Sequence, residues 1–143
     1  MSTVFFLYHF NDVDQICPVI WKLAQRGERT AAVMLDPSYD IAGDPRLDFL
    51  QREGSFQAMS VTDVFPGLGI GWLFRQRDGR TCGLVRRALR KVLRELGVSV
   101  GWAEAALTRL GAEVCVFEWG GEGGRNRTEF LRAARKPSMR ACL

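Results

Sequence analysis

One histidine and only three lysines stand in the 143 residues, and no two cysteines have C-x-x-C spacing. Cys17, Cys82, Cys115 and Cys142 are scattered. With so few nitrogen ligands and no thiolate pair, the sequence argues against a zinc centre, and no metal or cofactor is expected. Cys115 and Cys142 lie in apolar runs and read as buried, reduced thiols. No apolar run approaches the ~20 residues of a membrane-spanning helix. The opening "MSTVFFLYHF" has no basic stretch ahead of its apolar run, so it reads as a buried strand and not as a secretory leader. A cytoplasmic protein is the expectation. There are no internal repeats and no low-complexity segment.

What is present is an arginine-rich, mildly basic globular composition. The net charge is +4, hydrophobic residues make up 47% and charged residues 25%. These values fit one soluble domain with a sizeable core. Arginine suits phosphate and carboxylate recognition because its planar fork bonds both bidentately. The excess of arginine is equally read as compositional bias. A charge this modest is no nucleic-acid signature, and no nucleic-acid partner is expected.

Strand and helix patterns alternate along the chain. Val4–His9 is a continuous apolar run, the mark of a strand buried on both faces. Ile16, Val19, Ile20 and Leu23 form one helical stripe, with Asp14 as the expected N-cap, Pro18 in the first turn and Gly27 just past the end. Thr30–Leu35 reads as the second strand. Asp44-Pro45 opens a helix as N-cap and first residue, and Gly54 ends it. Phe56–Val61 is the third strand, followed by the glycine-rich loop "FPGLGIGW". Thr81–Leu96 reads as a helix with Val85, Leu89, Val92 and Leu96 on one face, stopped by Gly97. Trp102–Leu110 is a shorter helix and Val114–Trp119 the fourth strand. Asn126 and Glu129 have capping-box spacing, so a helix is expected from Asn126 to about Lys136. Ser138–Leu143 reads as a fifth strand. The pattern predicts an α/β protein: a single Rossmann-like, doubly wound parallel sheet of about five strands in the order 3-2-1-4-5. A last strand with no helix to cover it suggests the N-terminal half of a longer two-domain protein, all 143 residues forming one domain.

In such a sheet ligands bind beyond the carboxyl ends of the strands, where the strand order reverses between the first and fourth. Two loops meet there. After the first strand come His9, Asn11 and Asp12. After the fourth come Glu118, Gly120, Gly121, Glu122, Gly123 and Gly124, then Arg125 and Arg127 at the start of a helix. The glycines would let backbone approach a ligand, and the two arginines add charge to a helix N-terminus. The loop lacks the order of a P-loop, so a flexible connector and a substrate loop both stand as readings. His9 reads as a general base or as a structural histidine, and Glu118 as an acid/base candidate or a solvated carboxylate. "GLGIG" at Gly67–Gly71 follows the wrong strand for a dinucleotide fingerprint, and Trp72 stands where the last glycine belongs. Without that fingerprint, Asp36 at the end of the second strand is a weak ribose contact. Arg86, Arg87, Arg90, Lys91 and Arg94, with Trp72 to Arg77 upstream, form a basic face. It reads either as a solvated helix face packed by its apolar side or as a weak contact with anionic lipid, peripheral to the inner face of the membrane.

The helix "QICPVIWKLAQRG" (Gln15–Gly27) between the first strand and "RTAAVML" (Arg29–Leu35) resembles the start of GT-B-type proteins. These are the nucleotide-sugar glycosyltransferases, UDP-N-acetylglucosamine 2-epimerases and CDP-glycerol glycerophosphotransferases. Their first helix often has a P-V-I-x-x-L-x-x-R-G flavour, here Pro18 to Gly27. The segment "EFLRAARKPSMRACL" (Glu129–Leu143) is similar to their helix leading into the next strand. The resemblance implies an acceptor-side N-terminal domain of a glycosyltransferase-like enzyme of cell-envelope polysaccharide synthesis, not active alone. His9 and Glu118 would be catalytic. Asn11, Asp12, the Gly120–Gly124 loop, Arg125 and Arg127 would contact a sugar or polyol-phosphate acceptor. A C-terminal domain outside this chain would hold the nucleotide sugar. Two non-catalytic readings stand beside it. Asp12, Asp14 and Asp63 suggest the acidic pocket of a receiver-like signalling module. A bare last strand suggests a nucleotide-binding or scaffold protein that pairs with a partner.

Overall fold

A computed structural model describes residues 2–54, 56–64, 80–117, 125–135 and 140–142. Ten elements follow one another: β1 (Ser2–Leu7), α1 (Phe10–Gln25), β2 (Arg29–Met34), α2 (Pro45–Glu53), β3 (Phe56–Ser60), α3 (Arg80–Glu95), α4 (Val98–Arg109), β4 (Val114–Phe117), α5 (Arg125–Ala134) and β5 (Arg140–Cys142). The strands β3-β2-β1-β4 form a parallel sheet, and the three residues of β5 lie in parallel register beside β4. This is the expected α/β class with β1 at the centre.

β1 from Val4 onward and β2 from Ala31 onward are apolar because both faces of the sheet are covered there. Alternate side chains go opposite ways. Val4 and Phe6 join Ala31, Val33 and Leu35 on the face covered by α4 and α5, where Ala103, Leu107, Phe130 and Ala133 complete the core. Phe5 and Leu7 join Ala32 and Met34 on the other face, under Val13 and Ile20 of α1 and Leu47 and Leu50 of α2. Helix α3 packs on α4.

Several expected boundaries hold. Gly27 has φ +75°, the left-handed region open to glycine. Its N–H bonds to Ala24 O and that of Glu28 to Leu23 O, the paired closure of a Schellman motif. Asp44 caps α2 through the Arg46 N–H at 2.9 Å, with Pro45 as first residue.

Others move. β1 lies two residues upstream of its expected position, because Ser2 pairs with Arg29 and Leu7 with Met34. α1 begins at Phe10 with His9 as N-cap, not at Asp14. The Asp12 carboxylate reaches back to the chain before the helix and starts it there, a device the Asp14 reading overlooked. Pro18 consequently sits inside α1, where Asp14 O loses its usual partner. Both residues are exposed, so water can serve that carbonyl. α4 starts at Val98, four residues before the expected Trp102. Gly97, at φ +72°, both closes α3 and caps α4, so no linker separates them. α5 starts at Arg125, which puts Asn126 inside the helix and not at its cap. The "FPGLGIGW" loop and Lys136–Met139 lie outside the described residues.

Candidate functional site

The switch point lies where β1 meets β4. The chain leaves β1 through α1 toward β2 and β3, then returns through α3 and α4 to the other side of β1. Phe6 of β1 is level with Phe117, the last described residue of β4, and β1 runs one residue further. The loop from β1 therefore opens beside the end of β4.

His9 and Asn11 are exposed at this edge, on either side of the first residue of α1. Asp12 is only 4% exposed. Its Oδ2 accepts the N–H groups of Tyr8 at 2.6 Å and His9 at 2.8 Å. Its described partners are backbone amides, and their effect is to fix the turn that presents His9 and Asn11. The Tyr8 ring meets the His9 imidazole edge-on, with centroids 4.4 Å apart. The Phe10–Gln25 helix directs its positive end toward the same edge.

On the opposing side, Glu118, Gly120, Gly121, Glu122, Gly123 and Gly124 lie outside the described residues. Arg125 and Arg127 fall in the first turn of α5. Residues 67–71, and Trp72 to Arg77, also lie outside the description. Asp36 accepts both the N–H (2.8 Å) and the hydroxyl (2.6 Å) of Ser38, which folds the loop after β2.

A second polar cluster escaped the sequence reading. Arg46, in the first turn of α2, spans the gap to α1. It holds Asp44 through Nε and Nη2 (2.9 and 2.5 Å), bonds Asp14 through Nη1, and donates to the Tyr39 hydroxyl at 3.2 Å. Its guanidinium lies 3.9 Å from the centre of the Phe10 ring. Tyr39 donates its hydroxyl to Asp44. The bond from Arg46 is the main reason the Asp44 carboxyl is held well below the usual carboxylate range. Burial, reinforced by the bond to Asp44, pushes the Tyr39 phenol up to about 12. Burial also raises the Cys17 thiol, which opposes thiolate formation. With its nitrogens committed to Asp44, Asp14 and Tyr39, Arg46 is a clamp between α1 and α2. The signal that could have found it is Asp-Pro-Arg, which puts a guanidinium two residues from an N-cap carboxylate.

Two further expectations change. Glu129 was expected at N3 of a capping box begun by Asn126, and Arg90 on a basic face, either solvated or meeting anionic lipid. Instead Arg90 turns inward and pairs with Glu129 at 3.5 Å, their side chains 18% and 4% exposed. Oε2 of Glu129 is buried without a hydrogen-bond partner among the described residues. The receiver-like arrangement fails on topology, since it needs the first and third strands side by side. Here β2 lies between them, separating Asp12 from Asp63. Asp63 accepts from the Ser60 N–H instead, folding the turn after β3.

A hollow of about 330 Å³ opens at the other end of the sheet, between Ser2, Arg29, Gln57 and Arg109. It lies at the amino ends of the strands, away from the edge where parallel sheets hold ligands. Among the described residues, no three His, Cys, Asp or Glu side chains stand close enough to hold a metal ion. No helix among them is long and apolar enough to cross a membrane. No protein-family model and no curated protein matches the chain.

Proposed function

We propose that the chain is the acceptor-side Rossmann-like domain of a nucleotide-sugar-dependent glycosyltransferase-like enzyme. One observation carries the reading most: His9 and Asn11 are exposed at the carboxyl end of β1, at the switch point, on a turn braced by the Asp12 carboxylate. Parallel sheets of this topology hold ligands at that edge. The resemblance of Pro18–Gly27 to the first helix of GT-B proteins supports the class of reaction.

In this reading the acceptor is a sugar or a polyol phosphate. His9 takes the proton from the attacking hydroxyl, and Asn11 bonds a neighbouring hydroxyl. Arg125 and Arg127, in the first turn of α5, favour an anionic group on the acceptor. Glu118 and Gly120–Gly124, which follow β4 in the sequence, are the remaining acceptor contacts in this reading. The donor nucleotide is held by a second domain.

The test is calorimetric titration with glycerol 3-phosphate and with glucose. His9→Asn keeps an N-cap residue and removes the imidazole, and Asn11→Ala removes an exposed amide. Each is expected to weaken binding by roughly tenfold, the worth of about one hydrogen bond to a ligand, with the unfolding midpoint unchanged. Binding that neither substitution alters would remove both residues from the site.

A further inference from the structure

Among the described side chains of α3, Leu93 joins the core beside α4 and Arg90 is held by Glu129 of α5. The stripe expected to face the core faces outward instead. Leu84, Val85, Leu89, Val92 and Leu96 are 38–70% exposed. They run along about 18 Å of helix. A soluble helix normally buries such a stripe, and an exposed apolar row of this length marks a contact surface.

The charge around the stripe selects the partner. Six of the sixteen residues of α3 are arginine or lysine, Arg90 among them being turned inward to Glu129, and one, the exposed Glu95, is acidic. Arg87 and Lys91 are exposed along one border of the stripe. A second copy of the chain docked face to face would bring two such cationic helices together, which disfavours self-association. An anionic lipid surface satisfies both features. Aliphatic side chains enter the boundary between headgroups and acyl chains, while Arg87 and Lys91 meet lipid phosphates.

We infer that α3 is a membrane-surface helix that lies flat on anionic bilayers through Leu84, Val85, Leu89, Val92 and Leu96. The inference is independent of the ligand site proposed above. The geometry is that of a helix lying on the bilayer and not crossing it.

The test is co-sedimentation of the full chain with two kinds of vesicle, phosphatidylcholine alone and equal parts phosphatidylcholine and phosphatidylglycerol. Binding is expected to the anionic vesicles only and to weaken as salt is raised. Combined Arg87→Gln and Lys91→Gln substitutions are expected to weaken it on the order of 25-fold. Combined Leu84→Ser and Val85→Ser substitutions are expected to abolish it at moderate salt. All four positions are exposed, so both variants should keep the parent's circular dichroism. Equal binding to neutral vesicles, binding unchanged in both variants, or no binding would each overturn the inference. A concentration-dependent dimer lost in Leu84→Ser/Val85→Ser, without vesicle binding, would overturn it in favour of a second copy.

Discussion

Phe6→Ala is expected to lower the stability of the domain by about 3–5 kcal/mol, the usual range for emptying a buried aromatic site. Phe6 is 1% exposed at the centre of the sheet. Its ring stacks on Phe117 of β4 at 4.6 Å with the planes 8° apart. It also meets Phe130 of α5 at 4.7 Å. Removing it takes a partner from both rings and leaves a void between β1, β4 and α5. Close packing prevents the surroundings from filling that void cheaply. Urea unfolding would show a lower midpoint with an unchanged slope. The matched control is Leu96→Ala, where the residue is 70% exposed. It should change stability by no more than ~0.5 kcal/mol. A small loss for Phe6→Ala would mean that these three rings are not the core.

The second large effect is expected at Arg46. Replacing it by methionine keeps most of the volume and removes the guanidinium. Asp44, whose side chain is 4% exposed, would lose its cationic partner, while Asp14, 54% exposed, would simply turn to water. Breaking a buried pair at one end costs about 3–5 kcal/mol, and the low end is expected here because the Arg46 side chain is itself 22% exposed. Adding Asp44→Asn to Arg46→Met should restore part of the loss, since asparagine still caps α2 and leaves no stranded charge. Strict additivity of the two substitutions would show that the pair is not coupled.

The same cluster sets the pH dependence. The folded-state value of Asp44 is depressed, so its contribution is complete above the ordinary carboxylate value of ~3.9 and is lost as pH falls below that. The Tyr39 phenol is raised from 10 to about 12, so its contribution is complete below pH 10 and is lost as pH rises through 12. Stability from this cluster is therefore level between about pH 5 and 9. Asp44→Asn should flatten the acid limb of a thermal-midpoint profile and Tyr39→Phe the alkaline limb. Limbs unchanged by these substitutions would place the titrating groups elsewhere.

Much of the architecture was legible because it rests on local signals. The apolar run at Val4–Leu7 needs two covered faces, which implies a parallel sheet with helices on both sides. Gly27 and the Asp44-Pro45 pair name their helix ends without reference to the rest of the fold. The failures are of another kind. Asp14 looked like an N-cap because the reach of Asp12 back to Tyr8 and His9 depends on a turn that spacing alone does not reveal. The stripe of α3 looked like core because periodicity tells that a helix has an apolar side, not which side the protein uses. Here Leu93 and Arg90, the latter paired with Glu129 39 positions later in the chain, face the protein while the stripe faces out. The clamp at Arg46 was hidden for the same reason, since it joins Asp14 and Phe10 of α1 to residues thirty or more positions later. At the proposed site, His9 and Asn11 were legible from their place after the first strand. The bracing role of Asp12 was not.

An amide NMR titration of the full chain with glycerol 3-phosphate, glucose, and UDP-, CDP- and GDP-sugars tests the central claim most directly. Saturable shifts are expected, confined to His9–Asp12 and to residues from Gly120 through Arg127, caused by the polyol phosphate or the sugar and not by the nucleotide sugars. A well-dispersed spectrum in which no compound moves those amides, or in which the shifts gather around Ser2, Arg29 and Arg109 at the other end of the sheet, would contradict it.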